Sequence, residues 1–133
     1  MNQAQLWLTI GAINGGVTVA LGAFGAHGLK NRVPPELLAN WLTATNYLGI
    51  HALVILICGL VLLQLPAARL VNAAGWAFLL GSVLFSGSLY VMTLTGIRQL
   101  GMITPIGGVA LIIGWTLLAL GVWRSAAAIN GGI

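Results

Sequence analysis

The stretch that decides the fold is residues 1–29, MNQAQLWLTIGAINGGVTVALGAFGAHGL, which contain no charged side chain. About 20 apolar residues suffice to cross a bilayer as a helix. Over all 133 residues, 59% are hydrophobic and 5% are charged, whereas a soluble domain carries roughly a quarter charged residues. The composition therefore predicts an integral membrane protein.

A cleaved signal peptide is the alternative for this first segment, because Ala23 and Ala26 loosely suit a cleavage site. However, no Lys or Arg precedes the apolar run, and the run is longer than an ordinary signal core. We therefore expect a permanent helix.

Four apolar segments are long enough to span the membrane, at about 6–27, 48–65, 70–94 and 105–123. Helices are expected, because isolated strands leave backbone groups unpaired in lipid and the segments lack the alternation of a barrel. The sequence predicts an all-α integral membrane protein, in which residues 1–133 form a single domain with a bundle of four transmembrane helices. Pro66 is expected to follow the second helix, Gly96 to cap the third, and Thr104 with Pro105 to begin the fourth.

The first loop has a helical pattern of its own. Pro34 and Pro35 suit the start of a helix, and Glu36 is favourable in its first turn. Apolar residues then recur at helical spacing: Leu37, Leu38, Trp41 and Leu42. We expect a short amphipathic helical segment that lies at the interface or continues directly into the second span. One polar stripe follows the same helix face to about one turn inside the membrane: Glu36, Asn40, Thr43, Tyr47 and His51.

The charged residues are few and scattered. The formal net charge is +4. The cations are Lys30, Arg32, Arg69, Arg98 and Arg124, set against Glu36. They form no basic cluster, so nucleic-acid binding has no support and contact with lipid headgroups is expected. The Lys and Arg count does not decide the orientation. Cys58 lies in the middle of the second span and is expected to be a buried, inert thiol.

Small residues are arranged in rows along the helices, as in helices that pack closely in lipid. In the first helix, the rows contain Gly11, Gly15, Gly16 and Gly22. In the fourth helix, Gly107, Gly114 and Gly121 are spaced by seven. Each row serves either packing within the monomer or an oligomer interface. Because its small residues occupy more than one face, the first helix is predicted at the centre of the bundle.

Several polar residues map to one side of the membrane: His27, Glu36, Asn46, Tyr47, His51, Tyr90 and Arg98. One interpretation is a proton or metal site at His27 and His51. The other, which we favour, is a hydrogen-bonded network that seals the end of the bundle, because a zinc site needs four ligands. Asn14 either lines a ligand path or forms an interhelical hydrogen bond. Trp7, Trp41 and Trp123 are expected near the interfaces, and Trp115 deeper.

Four short segments resemble a known family in their order and spacing: LGAFGAH (21–27), FSGSLY (85–90), TPIGG (104–108) and GW (114–115). Tyr47 and His51, which lie between the first two segments, belong to the same pattern. The family is domain of unknown function 423, which includes YgdD-like bacterial proteins and is related to transmembrane protein 256. The resemblance implies a four-helix protein of the bacterial inner membrane, with no activity to carry over. It adds Ser86, Thr104 and Pro105 to the positions of interest.

With one carboxylate in the chain, paired acid and base chemistry within a monomer is excluded. We therefore expect no catalytic residue and no cofactor, although bound lipid is compatible with the sequence. The first hypothesis is a non-enzymatic accessory or structural subunit that packs against itself or against a larger membrane complex. The alternative is a small transporter, ion path or sensor that uses a His27/His51 cluster.

Overall fold

The computed structural model describes residues 1–131, in which four long helices and one short 3-10 helix follow one another. They are α1 (Gln3–His27), α2 (Pro35–Gln64), α3 (Arg69–Thr95), η1 (Arg98–Met102) and α4 (Thr104–Gly131). The four α-helices are long and apolar enough to cross a membrane. The predicted all-α fold with four membrane helices is thus confirmed.

Local sequence signals set the helix ends. At the start of α1, the Asn2 side chain accepts from the Gln5 backbone N–H while the Gln5 side chain accepts from the Asn2 backbone N–H. Gly96 ends α3 with a left-handed φ of 74°, a conformation that favours glycine. Thr104 is the first residue of α4, one position from its predicted role as the residue before the helix.

Helix α2 is longer than its predicted span. It runs without interruption for 30 residues from Pro35 to Gln64, about 45 Å at 1.5 Å per residue. The amphipathic segment of the first loop is therefore the first part of α2, which is one of the two predicted alternatives. Because the helix begins 13 residues before the predicted span, the whole predicted polar stripe from Glu36 to His51 lies on one continuous helix.

The helices pack mainly in chain order: α1 on α2, α2 on α3, and α3 on α4. In its most apolar part, α1 has 11% of its residues buried, compared with 44% for both α2 and α3. The prediction that α1 occupies the centre is wrong. The central helices are α2 and α3, whose buried residues Val54, Ile55 and Phe78 lie in the main core.

The glycine stripe of α4 packs against α3 within the monomer, which is one of the two roles predicted for it. A Cβ at Gly114 would lie 2.7 Å from Cδ1 of Phe78, and one at Gly121 would lie 2.8 Å from Cγ2 of Val71. A Cβ at Gly107 would meet the backbone nitrogen of Phe85. All three glycines therefore let α4 approach α3 closely.

The glycines of α1 serve different purposes. Gly11 contacts α2, because a Cβ there would lie 2.9 Å from the backbone nitrogen of Leu56. Gly22 is only loosely packed, because a Cβ there would lie 3.5 Å from Cγ2 of Thr45. A Cβ at Gly15 or at Gly16 would have no neighbouring atom within 4 Å. Only some small residues of the predicted α1 rows therefore pack against another helix of the monomer.

Candidate functional site

His51 lies near the middle of the bundle. It follows Pro35 by 16 residues on the same helix, about 24 Å along the axis, and its side chain is only 4% exposed. The sequence predicts it about one turn inside the membrane, and in the bundle it lies well beyond the start of α2, because this helix begins 13 residues before the predicted apolar span.

Both ring nitrogens of His51 have partners. Nε2 accepts a hydrogen bond from the indole Nε1 of Trp115 at 3.1 Å. Nδ1 therefore carries the proton and donates to the backbone carbonyl of Tyr47 at 2.7 Å. The ring also lies against Phe78, with centroids 5.7 Å apart. This neutral imidazole joins α2 to α4 and leaves neither nitrogen open for a metal.

His27 does not join this site. It is the last residue of α1 and is exposed, whereas Gly11 packs against Ala52, the residue that follows His51. The antiparallel packing therefore separates the two histidines by roughly 20 Å along the helix axes. Their predicted cluster is wrong, and residues 1–131 contain no group of three or more His, Cys, Asp or Glu side chains that could hold a metal ion.

Tyr90 belongs to a second polar group, closer to the start of α2. Its hydroxyl shares a 2.9 Å hydrogen bond with Thr45 Oγ1. Its ring lies 4.4 Å from that of Trp41, whose Nε1 donates to the carbonyl of Leu21 at 2.8 Å. These contacts tie α1, α2 and α3 together. Trp41, predicted at an interface, is 1% exposed and packs between helices.

Small hydroxyls make further ties between helices. Ser86 donates to the carbonyl of Ala44 at 2.8 Å, which joins α3 to α2. Thr104 shares a 2.7 Å hydrogen bond with Ser88, which joins α4 to α3. Thr93 donates to the carbonyl of Leu37 at 3.0 Å. Ser88 and Thr93 were missed, since an isolated hydroxyl in a span gives no sign of its partner.

The remaining predicted residues lie at the surface. Arg98 and Glu36 form an ion pair that connects η1 to the first turn of α2, with side chains 60% and 64% exposed. Tyr47 packs its half-exposed ring against Phe85 at 4.4 Å, and Asn46 is exposed. The predicted single cluster is therefore several separate contacts distributed along the bundle.

A groove between α1 and α3 has polar groups without partners. Its volume is about 250 Å³, and its lining includes Asn14 and Val17 of α1 with Ser82 and Gly87 of α3. The Ser82 hydroxyl is buried and has no hydrogen-bond partner within residues 1–131. In the same described range, the Asn14 carboxamide makes no hydrogen bond, although its backbone carbonyl accepts from Thr18. Asn14 and Ser82 thus line one groove in the apolar part of the bundle.

Comparison with known proteins identifies the family. The family described as "Protein of unknown function (DUF423)" matches residues 21–108, which reach from the second half of α1 to the beginning of α4. The chain belongs to this family. The DUF423 match includes His51 and Ser82 but ends before Trp115, so it covers one partner of the His51–Trp115 hydrogen bond.

Curated relatives extend the similarity over most of the chain. UPF0382 membrane protein SAB0533 of Staphylococcus aureus (strain bovine RF122 / ET3-1) is 43% identical over 122 residues, covering 92% of this chain and 98% of the relative. UPF0382 membrane protein YwdK of Bacillus subtilis (strain 168) is 43% identical over 116 residues, covering 87% and 94%. No solved structure matches this DUF423 chain. The relatives' names agree with an integral membrane protein.

Proposed function

We propose that this DUF423 protein is a non-enzymatic accessory subunit of the bacterial plasma membrane, which packs against itself or against a larger membrane complex. The observation that carries the proposal is the groove between α1 and α3, where the Asn14 carboxamide and the Ser82 hydroxyl have no partner among the described residues. An unsatisfied buried polar group costs about 1–3 kcal/mol. The Ser82 hydroxyl carries this cost inside the monomer, whereas the half-buried Asn14 carboxamide is the group of this groove that a polar side chain of a partner helix would pair with.

The outer face of α1 also favours association. Because successive residues of a helix are about 100° apart, Gly16 and Ala20 lie on the side of α1 opposite the Gly11 face that packs on α2. Both are exposed, and a Cβ at Gly16 would meet nothing within 4 Å. Small residues are the usual contact surface between membrane helices. Their exposure supports α1 as the helix that meets a partner.

The chemistry of the chain supports a role without catalysis. Its single carboxylate side chain, Glu36, is exposed and paired with Arg98. The buried histidine, His51, uses both ring nitrogens to join helices. Within the described residues, seven side-chain hydrogen bonds connect two α-helices, which is what a packing subunit requires.

The test is native mass measurement after extraction in mild detergent, with co-purifying proteins identified by mass spectrometry. We expect a homo-oligomer or a complex, and we expect Asn14→Val to weaken it. Thr116→Val is the matched control, because the Thr116 hydroxyl already bonds the carbonyl of Ile112 in its own helix at 3.0 Å. It removes a polar group from a span without touching the groove.

Two outcomes would count against the proposal. A strictly monomeric protein without partners, in several mild detergents and in native-membrane particles, would overturn the accessory role. A complex that Asn14→Val and Thr116→Val weaken equally would retain the role but remove the groove as its contact surface. Helical content measured by circular dichroism confirms that each variant is folded.

A further inference from the structure

Two arginines line one cavity at the end of the bundle opposite the Arg98–Glu36 pair. The cavity has a volume of about 200 Å³ and lies between the first turn of α3 and the last third of α4. Its lining includes Arg69 and Leu70 from α3, and Gly121, Arg124 and Ser125 from α4. The close approach of Gly121 to Val71 brings the two helices together at this depth.

The charge around this cavity is not balanced by a carboxylate side chain. Glu36 is the only Asp or Glu in the sequence, and it pairs with Arg98, beyond the other end of α3. Arg69 and Arg124 are both exposed and form no ion pair with a side chain of residues 1–131. Within residues 1–131, two arginines therefore line one cavity without a carboxylate side chain beside them.

The cavity lies where the ends of the apolar spans predict the lipid headgroups. Trp123, the neighbour of Arg124, is 71% exposed, as expected for a tryptophan at the membrane interface. Arg69 begins α3, directly before the apolar part of that helix. Guanidinium groups bind phosphate oxygens through paired, charge-assisted hydrogen bonds. Basic cavities between membrane helices are suited to anionic lipid headgroups.

We propose that Arg69 and Arg124, with Ser125 beside them, form a binding site for the phosphate of an anionic phospholipid headgroup. The two guanidinium groups hold the phosphate oxygens from α3 and α4, and the Ser125 hydroxyl supplies a further hydrogen-bond donor. A bound headgroup joins the start of α3 to the end of α4. It also holds this end of the bundle at the membrane surface.

The experiment is native mass spectrometry of the detergent-purified protein titrated with phosphatidylglycerol, with phosphatidylcholine, and with inorganic phosphate. We expect one phosphatidylglycerol to bind in preference to phosphatidylcholine. The double variant Arg69→Gln with Arg124→Gln should weaken this binding roughly tenfold or more, since each lost charge near an anionic lipid is worth about a factor of five. Higher ionic strength should weaken binding to the wild type as well.

Arg32→Gln is the matched control, because it removes one cation from the opposite end of the bundle. It should leave phosphatidylglycerol binding unchanged. The pair Arg69→Lys with Arg124→Lys keeps the charge but loses the paired hydrogen bonds, so its binding should lie between the wild type and the glutamine variant. Circular dichroism shows whether each variant retains its helices.

Three results would overturn the proposal. The first is a glutamine double variant that binds phosphatidylglycerol as tightly as the wild type. The second is an equal loss from Arg32→Gln, which would indicate a general effect of net charge. The third is inorganic phosphate that binds at the arginines while phosphatidylglycerol does not, which would assign the site to a soluble phosphate.

Discussion

The indole nitrogen of Trp115 and Nε2 of His51 are joined by a 3.1 Å hydrogen bond that connects α4 to α2. Although α4 packs chiefly on α3, this contact reaches past α3 to the other central helix. The same indole ring lies edge-on to Phe78 of α3, with centroids 5.3 Å apart. One side chain of α4 is thus in contact with both central helices.

Replacing Trp115 by Phe should remove the hydrogen bond while keeping an aromatic ring against Phe78. We expect the free energy of unfolding to fall by about 1 kcal/mol, the range measured for polar contacts between membrane helices. Unfolding by sodium dodecyl sulfate in mixed micelles measures it. Trp76→Phe is the control, because the Trp76 indole N–H makes no hydrogen bond within residues 1–131 and its ring contacts Trp7. Equal losses from both variants would show that the hydrogen bond contributes nothing.

Gly107→Ala should be the most damaging of the glycine substitutions, because the new Cβ would meet the backbone nitrogen of Phe85, which cannot move without α3. Overpacking of this kind costs about 1–3 kcal/mol. Gly15→Ala is the matched control, since the added Cβ meets nothing within 4 Å and alanine is the better helix former. Unfolding in mixed micelles should rank Gly107→Ala well below the wild type and Gly15→Ala close to it. The reverse order would contradict the α3–α4 contact.

Two serines one turn apart on α3 should respond differently to alanine. Ser86 donates to the carbonyl of Ala44 in α2, so Ser86→Ala should lower the free energy of unfolding by about 1 kcal/mol. The Ser82 hydroxyl is buried without a partner in the described chain, so Ser82→Ala should leave monomer stability unchanged or raise it. The comparison is made in the Asn14→Val background, in which association through the groove is expected to be weaker. A larger loss from Ser82→Ala would reveal a partner for that hydroxyl.

Cys58 should resist alkylation in the folded protein, because its side chain is 0% exposed and lies in the main core. A membrane-permeant maleimide should label it only after unfolding by sodium dodecyl sulfate, as mass spectrometry would show. The control is Lys30→Cys with Cys58→Ala, which places a single thiol in the exposed first loop and should react at once. Rapid labelling of Cys58 in the native protein would contradict the packing of α2.

The sequence predicted best the features that depend on one helix alone. Gly107, Gly114 and Gly121 are seven residues apart, so they share a face whichever helix they meet, and all three contact α3. Helix caps are also local features. Gly96 ends α3 through its own left-handed backbone conformation, which depends on no other helix. Periodicity and turn chemistry are local, and they hold before any neighbour is known.

Features that depend on the alignment of two helices were predicted poorly. Hydropathy marks where the hydrocarbon begins, but α2 continues to Pro35, since the amphipathic segment before the span is also helical. Because the first part of α2 packs beside the end of α1, His51 lies far from His27. It lies beside Trp115 instead. Gly11 and Gly15 form one motif in the sequence, yet only Gly11 meets α2. Which part of a small-residue row is covered depends on the neighbour's position.

The packing of each helix on the one before it has a consequence for biosynthesis. When α2 leaves the ribosome, the surface it needs on α1 is already in the membrane, and the same holds for α3 on α2 and for α4 on α3. The connecting loops are short, so little entropy is lost when each pair closes. The bundle can therefore assemble in the order of translation, and the Trp115–His51 contact, formed last, closes it across three helices.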